Sequence, residues 1–147
     1  VLCDHCKIPV KKYLADLQRH GRNNELPELD RRTFDALLSY PEDVTDVVYV
    51  ANPSGCSKCR QGYTGRTVVA ETIVPTIDFM SFVAKEELRG ARECWIRDGG
   101  VSMREHAVEK MVKGKLDPRE MEIQQVGRLV DVTKERWLEL VSKGLVA

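Results

Sequence analysis

Two Cys-x-x-Cys pairs, Cys3–Cys6 and Cys56–Cys59, constrain this chain more than any other feature of its sequence. Each pair can present two thiolates to one metal ion from a single tight turn, and two such turns complete a tetrahedral four-cysteine shell. Cys3, Cys6, Cys56 and Cys59 are therefore the candidate zinc ligands. Residues 7–55 separate the pairs, an insert of 49 residues. That exceeds the spacing of a short zinc ribbon, but loop-closure cost grows only logarithmically with length. Gly55 before the second knuckle and Gly62 after it let the backbone wrap and aim its N–H groups at sulfur. Four thiolates close the coordination shell, which fits a structural zinc, whereas a catalytic zinc keeps a position open for water.

Competing readings use the same residues: two disulfides, four unrelated thiols, or iron in place of zinc. Nothing around the cysteines suggests electron transfer, and no thioredoxin-like βαβ pattern surrounds either pair. His5, inside the first knuckle, is expected to point away from a turn whose ends already bind. The fifth cysteine, Cys94, reads as a small buried apolar residue in a helix.

The 147 residues are enough for one domain or two small lobes with a real core. Lysine plus arginine and aspartate plus glutamate each number 23, and this zero net charge argues against a nucleic-acid partner. No apolar run approaches the eighteen or so residues of a membrane span. The opening Val1-Leu2-Cys3-Asp4 lacks an initiator Met, a basic leader region and an apolar leader core. It reads as the start of a fragment from a longer protein, entering at the end of an apolar strand. In a reducing cytosol its cysteines would bind metal rather than cross-link.

Along the chain, Val10, Tyr13, Leu14 and Leu17 recur at helical spacing and predict a helix ending near Gly21. Residues 22–28 are polar, contain Pro27 and read as a loop. Asp30 is the expected N-cap of a second helix carrying Phe34, Leu37 and Leu38, stopped by Pro41. Residues 44–52 and 67–74 are rich in β-branched residues and read as strands. The second knuckle would then form the tip of an antiparallel hairpin.

From Pro75 the pattern turns helical. One helix or two are expected over 77–84 and 86–98, stopped by Gly99-Gly100. Ser102-Met103-Arg104-Glu105 has the form of a capping box, opening a helix that ends at Gly114. Asp117 caps the next element with Pro118 at its first position, and Gly127 or its neighbours end it. Thr133 caps a last helix whose Trp137, Leu140, Val141 and Leu145 share a face. The expected fold class is α+β: a zinc-stapled antiparallel β-hairpin with short helices over 1–75, then a C-terminal helical lobe over 76–147.

Gly62-Tyr63-Thr64-Gly65-Arg66 implies a tight path from knuckle to strand. Arg66 is either a surface partner of a residue such as Glu71 or a fork donor for a phosphate or carboxylate. No phosphate-binding Gly-x-x-x-x-Gly-Lys-Ser/Thr loop, Ser–His–Asp set or His-Glu-x-x-His helix is present. His5, His20 and His106 are scattered, so the chain holds no complete active site.

Together these pieces resemble the C-terminal part of the traffic ATPases of type II secretion and type IV pilus assembly. Leu2-Cys3-Asp4-His5-Cys6 is similar to the family's Leu-Cys-x-x-Cys after its final nucleotide-site strand, and Gly55-Cys56-Ser57-Lys58-Cys59 to its Gly-Cys-x-x-Cys. Gly62-Tyr63-Thr64-Gly65-Arg66-Thr67, with Glu71 behind it, resembles the Gly-Tyr-x-Gly-Arg-x run. Ser102-Met103-Arg104, then Lys110 and Gly114, resembles the Ser-Leu/Met-Arg stretch and the helix end that follows. The likeness runs over residues 1–130; residues 10–45 match no family pattern, and the helix from Thr133 looks like an extension.

The resemblance implies a fragment of a RecA-like P-loop ATPase, hexameric and cytoplasmic, peripheral at the inner membrane. Such a motor drives pilin or pseudopilin assembly through a membrane platform protein. ATP and Mg would belong to the parent, because the Walker motifs, Asp box and His box would precede Val1. The chain should therefore have no activity alone. The four cysteines carry over as zinc ligands, and Arg66 as a contact to nucleotide or to a neighbouring subunit. The rival readings are a zinc-ribbon nucleic-acid-binding module and a stand-alone zinc-stapled adaptor domain.

Overall fold

Ile8–Pro9 (β1), which follows the first knuckle, pairs antiparallel with a short strand that precedes the second one. The computed structural model describes residues 1–21, 28–39, 45–124 and 126. In chain order the described elements are β1, α1 (Val10–Arg19), α2 (Glu28–Leu38), β2 (Tyr49–Val50), α3 (Ile77–Ala84), α4 (Leu88–Arg97), α5 (Met103–Val112) and α6 (Pro118–Ile123). The register sets Ile8 opposite Val50 and Pro9 opposite Tyr49. Pro9 has no N–H to give, so the next ladder bond comes from Val10, whose N–H reaches the Val48 carbonyl at 3.0 Å. Isolated bridges join Tyr63 to Leu2 and to Arg60. Both knuckles thus lie at one end of the same small antiparallel arrangement, and the fold is α+β.

The expected hairpin of 44–52 with 67–74 does not form. Among the described residues the first segment is strand only at Tyr49–Val50, and its partner is β1. Residues 67–74 form no strand, so Arg66 does not start one. β-Branched composition favours a strand only where a partner edge exists. Here side chains hold the segment instead. The His106 ring bonds the Ala70 backbone, Glu71 accepts the Met103 N–H at 3.1 Å, and Trp95 donates to the Thr72 carbonyl at 3.0 Å. The described residues contain neither a parallel sheet nor a P-loop, so a RecA-like architecture is no part of the observed fold.

Two strands of two residues cannot stand alone in water. Their support is a core of Val10, Phe34, Leu37, Val48, Val50, Ala107, Val108, Met111 and Met121, all buried. Each of these side chains larger than alanine contributes about 1.5–3 kcal/mol when taken out of water. Tyr13 and Leu14 pack against its edge, as the spacing in α1 predicts. This core draws on α1, α2, β2, α5 and α6.

Asp30 lies inside α2 rather than at its cap, since the helix already begins at Glu28. Leu38 faces outward at 56% exposure, while Thr33, Ala36 and Leu37 turn inward. The Ser102 capping box is formed: the Ser102 hydroxyl accepts the Glu105 N–H, and Glu105 accepts the Ser102 N–H at 2.8 Å. The chain leaves α5 through Gly114 at φ +63°. The helices over 77–84 and 86–98 are two, the second starting at Leu88 because Glu86 sits in the turn at φ +59°. They pack closely, for a Cβ at Gly90 would come within 2.5 Å of the Phe82 ring. The Pro41 stop, the Gly127 boundary and the helix from Thr133 lie outside the described residues.

Candidate metal centre

Each knuckle is a hydrogen-bonded turn. In the first, the Cys6 and Lys7 N–H groups both reach the Cys3 carbonyl, at 3.2 and 2.9 Å. In the second, the Cys59 N–H reaches the Cys56 carbonyl at 3.2 Å, and the Cys56 N–H points at Cys59 Sγ, also at 3.2 Å. The turns are joined directly by the Cys3 N–H donating to the Gly62 carbonyl at 2.8 Å. The path is narrow there. Gly62 sits at φ +86°, and a Cβ on it would lie 2.7 Å from the Asn52 nitrogen. No other residue type fits that point without moving the backbone.

The four Sγ atoms lie within 4.8 Å of one another. Cys3 and Cys56 are 3.8 Å apart, Cys6 and Cys59 3.6 Å, and Cys56 and Cys59 3.6 Å. A tetrahedral zinc with metal–sulfur bonds of about 2.3 Å sets its sulfurs about 3.8 Å apart. The cluster is thus geometrically compatible with a zinc site, and all five cysteines are free rather than cross-linked. Cys3 is fully buried and the other three are half-buried.

Partial burial pushes the Cys6 thiol up, and its contacts with Cys59 and Cys56 push it further. Burial also acts to raise Cys59, but the Cys56 N–H, the neighbouring thiols and the Gly62 N–H outweigh it and bring this thiol down to about 7. Cys59 is thus favoured as a thiolate while the Cys6 and Cys56 thiols are pushed up, and because zinc takes cysteine only as thiolate, binding there would release protons.

The surroundings tie this cluster to the end of α5. Lys7 Nζ donates to Asp4 at 2.7 Å and to the Gly114 carbonyl at 3.1 Å, and it lies 4.7 Å above the Tyr49 ring. Lys115 donates to the other Asp4 oxygen at 3.0 Å, and the Leu2 N–H reaches the Lys115 carbonyl at 2.9 Å. Hydrogen bonds from Lys7 and Lys115 hold the Asp4 carboxyl down at about 2.

His5 is exposed and stands outside the cluster. Cys94 is buried in α4 beside Arg97 and Asp98, at 3.2 and 3.5 Å. Arg66 is exposed on the wall of a groove of about 580 Å³ and has no ion-pair partner among the described residues. The Arg66–Glu71 pair is not formed, because Glu71 is engaged with the start of α5.

A polar hub beside the knuckles escaped the sequence reading, which gave Asp117 only the role of a helix cap. Asp117 is fully buried and accepts four bonds: from the Arg119 N–H, Nε and Nη2 at 3.0, 2.9 and 2.7 Å, and from the Ala51 N–H at 2.7 Å. Arg119 also pairs with Asp30 at 3.6 Å and lies 5.7 Å from the Tyr13 ring. Tyr63, following the second knuckle, donates its hydroxyl to Glu120 at 3.2 Å, and burial pushes that hydroxyl's pKa up so that it stays a donor.

Comparison with known families places this geometry. Residues 1–128 match the family described as type II/IV secretion system protein. The chain belongs to that family. No curated protein matches the chain. In this family member no helix among the described residues is long and apolar enough to cross a membrane.

Proposed function

We propose that this type II/IV secretion system protein is the zinc-binding C-terminal portion of a cytoplasmic motor ATPase that powers type IV pilus assembly or type II secretion. Cys3, Cys6, Cys56 and Cys59 hold one zinc ion, whose role is to supply folding energy where short strands and short helices supply little. The observation that carries this reading is the tetrahedral spacing of four sulfurs inside the family-matched segment. The parent binds ATP and Mg through residues ahead of this chain, assembles as a homo-hexamer, and meets the inner membrane through a platform protein. The helices after residue 75 pass motion to that platform or to neighbouring subunits. Arg66, exposed with no described partner, contacts a neighbouring subunit or its nucleotide.

Elemental analysis tests the metal. Protein purified without added metal should carry one zinc per chain and lose it in Cys56→Ser; retention in that variant, or a content well below one, removes the claim. The motor role is tested separately in the full-length parent. Arg66→Ala should lower ATP turnover or hexamer formation with zinc content unchanged, and normal turnover in an assembled hexamer would end the role assigned to Arg66.

A further inference from the structure

Helix α3 buries none of its residues. Its inner side, through Phe82, lies on Gly90 of α4. Its outer side carries Ile77 and Met80, one turn apart and 86% and 50% exposed, continued by Val83 and by Leu88 in the first turn of α4. Contiguous exposed apolar surface of this kind marks an interaction site. The edge of this face is acidic: Asp78, Glu86 and Glu87 are exposed and have no ion pair among the described residues, with Lys85 between them and Arg92 stacked on Trp95.

The groove beside Arg66 has the opposite character. Its apolar lining comes from Val1, Val69, Leu116 and Val126, with Met121 buried beneath them. Its acids are already engaged, Glu120 by Tyr63 and Gln124, and Asp117 by Arg119 and Ala51. Lys115 is paired with Asp4. Among the described residues the groove therefore offers apolar side chains beside one cation with no ion pair, Arg66, whose planar fork suits a carboxylate.

We propose that the α3 face of one copy of this chain docks in the Arg66 groove of a second copy. Ile77, Met80 and Val83 cover the apolar wall, and the carboxylates at the helix edge, Glu86 and Glu87 foremost, meet Arg66. Because the two surfaces differ, the contact is head-to-tail: each copy uses its groove on one side and its helix on the other, and a row of copies closes into a ring or extends. This rests on the reading above, which gives the chain neighbouring subunits, and it names the surfaces through which they meet.

Sedimentation velocity on the metal-loaded chain, with zinc content measured on the same samples, tests the contact. The native chain should associate as concentration rises to the millimolar range. Arg66→Glu should weaken association about tenfold or more, the scale of one charge-assisted pair turned repulsive. Ile77→Asp, or Met80→Glu should the first fold poorly, should do the same from the other side. Mixing the Arg66→Glu and Ile77→Asp proteins is decisive: one supplies an intact helix and the other an intact groove, so the mixture should form a one-to-one dimer that grows no further. A native chain monomeric throughout, an Arg66→Glu variant that associates normally, or a mixture that stays monomeric would each overturn the proposal. Loss of zinc from the native chain would overturn the metal reading alone, since neither docking surface contains a cysteine.

Discussion

The cysteine-bearing body and the α3–α4 pair are held together over very different sequence distances. In the body, partners are remote: Cys3 beside Cys56, Leu2 on Lys115, Ala51 on Asp117, and one core shared by α1, β2 and α5. In the helical pair they are near: Phe82 on Gly90, and the Gly100 N–H on the Trp95 carbonyl. Remote contacts are entropically costly to close, so the body needs staples, whereas two adjacent helices fold on contacts with their neighbours. The body buries its largest apolar side chains, among them Phe34, Leu2, Leu37 and Met111, whereas α3 buries none of its residues.

The sharpest way to break this contrast is to remove the metal. A structural zinc contributes on the order of 10 kcal/mol, as much as the whole stability of a typical domain. Chelation, or Cys3→Ser, should therefore strip hydrogen-exchange protection from β1, β2, α5 and α6 while α3 and α4 keep theirs. Equal loss across both regions would abolish the distinction.

Asp117→Ala should rank next. It leaves the Arg119 guanidinium without its main partner and the Ala51 N–H without an acceptor, a loss of about 3–5 kcal/mol for a buried pair broken on one side. Denaturant unfolding should show it, with zinc content preserved under native conditions. Gly62→Ala should lose about 1–3 kcal/mol through strain at a positive φ. Gly65→Ala, where an added Cβ meets nothing within 4 Å, is its control and should be close to neutral. At the foot of the series, Met80→Gln on the outer face of α3 should change stability by no more than about 0.5 kcal/mol. A large loss there would mean that α3 is already covered within one copy.

Much of the candidate site was legible because ligand chemistry is local. A Cys-x-x-Cys turn specifies its own geometry, as do the glycines around it and the Ser102–Glu105 box. Helices α1, α3, α4 and α5 followed from periodicity and caps for the same reason. The strand at 67–74 misled because β propensity reports fitness for a sheet edge, and the edge facing β2 was taken by Ile8–Pro9, some forty residues earlier in the chain. Asp30 was read as a cap because an acid before an apolar run suits that place, yet its actual partner is Arg119.

Residue types and spacings by themselves determined the four thiols, the α+β class, the helices described between residues 77 and 123 and the resemblance that the family match supports. The tertiary structure alone decided which strands pair, that α5 and α6 add to the core around Val10 and Val50, that Asp117 is a buried hub, and that Arg66 has no ion-pair partner among the described residues while α3 leaves Ile77 and Met80 exposed. The physical reason is range. Turns, caps and ligand knuckles are settled by atoms a few residues apart, whereas strand partners, buried charges and unpartnered surfaces depend on which distant segments win the competition to be neighbours.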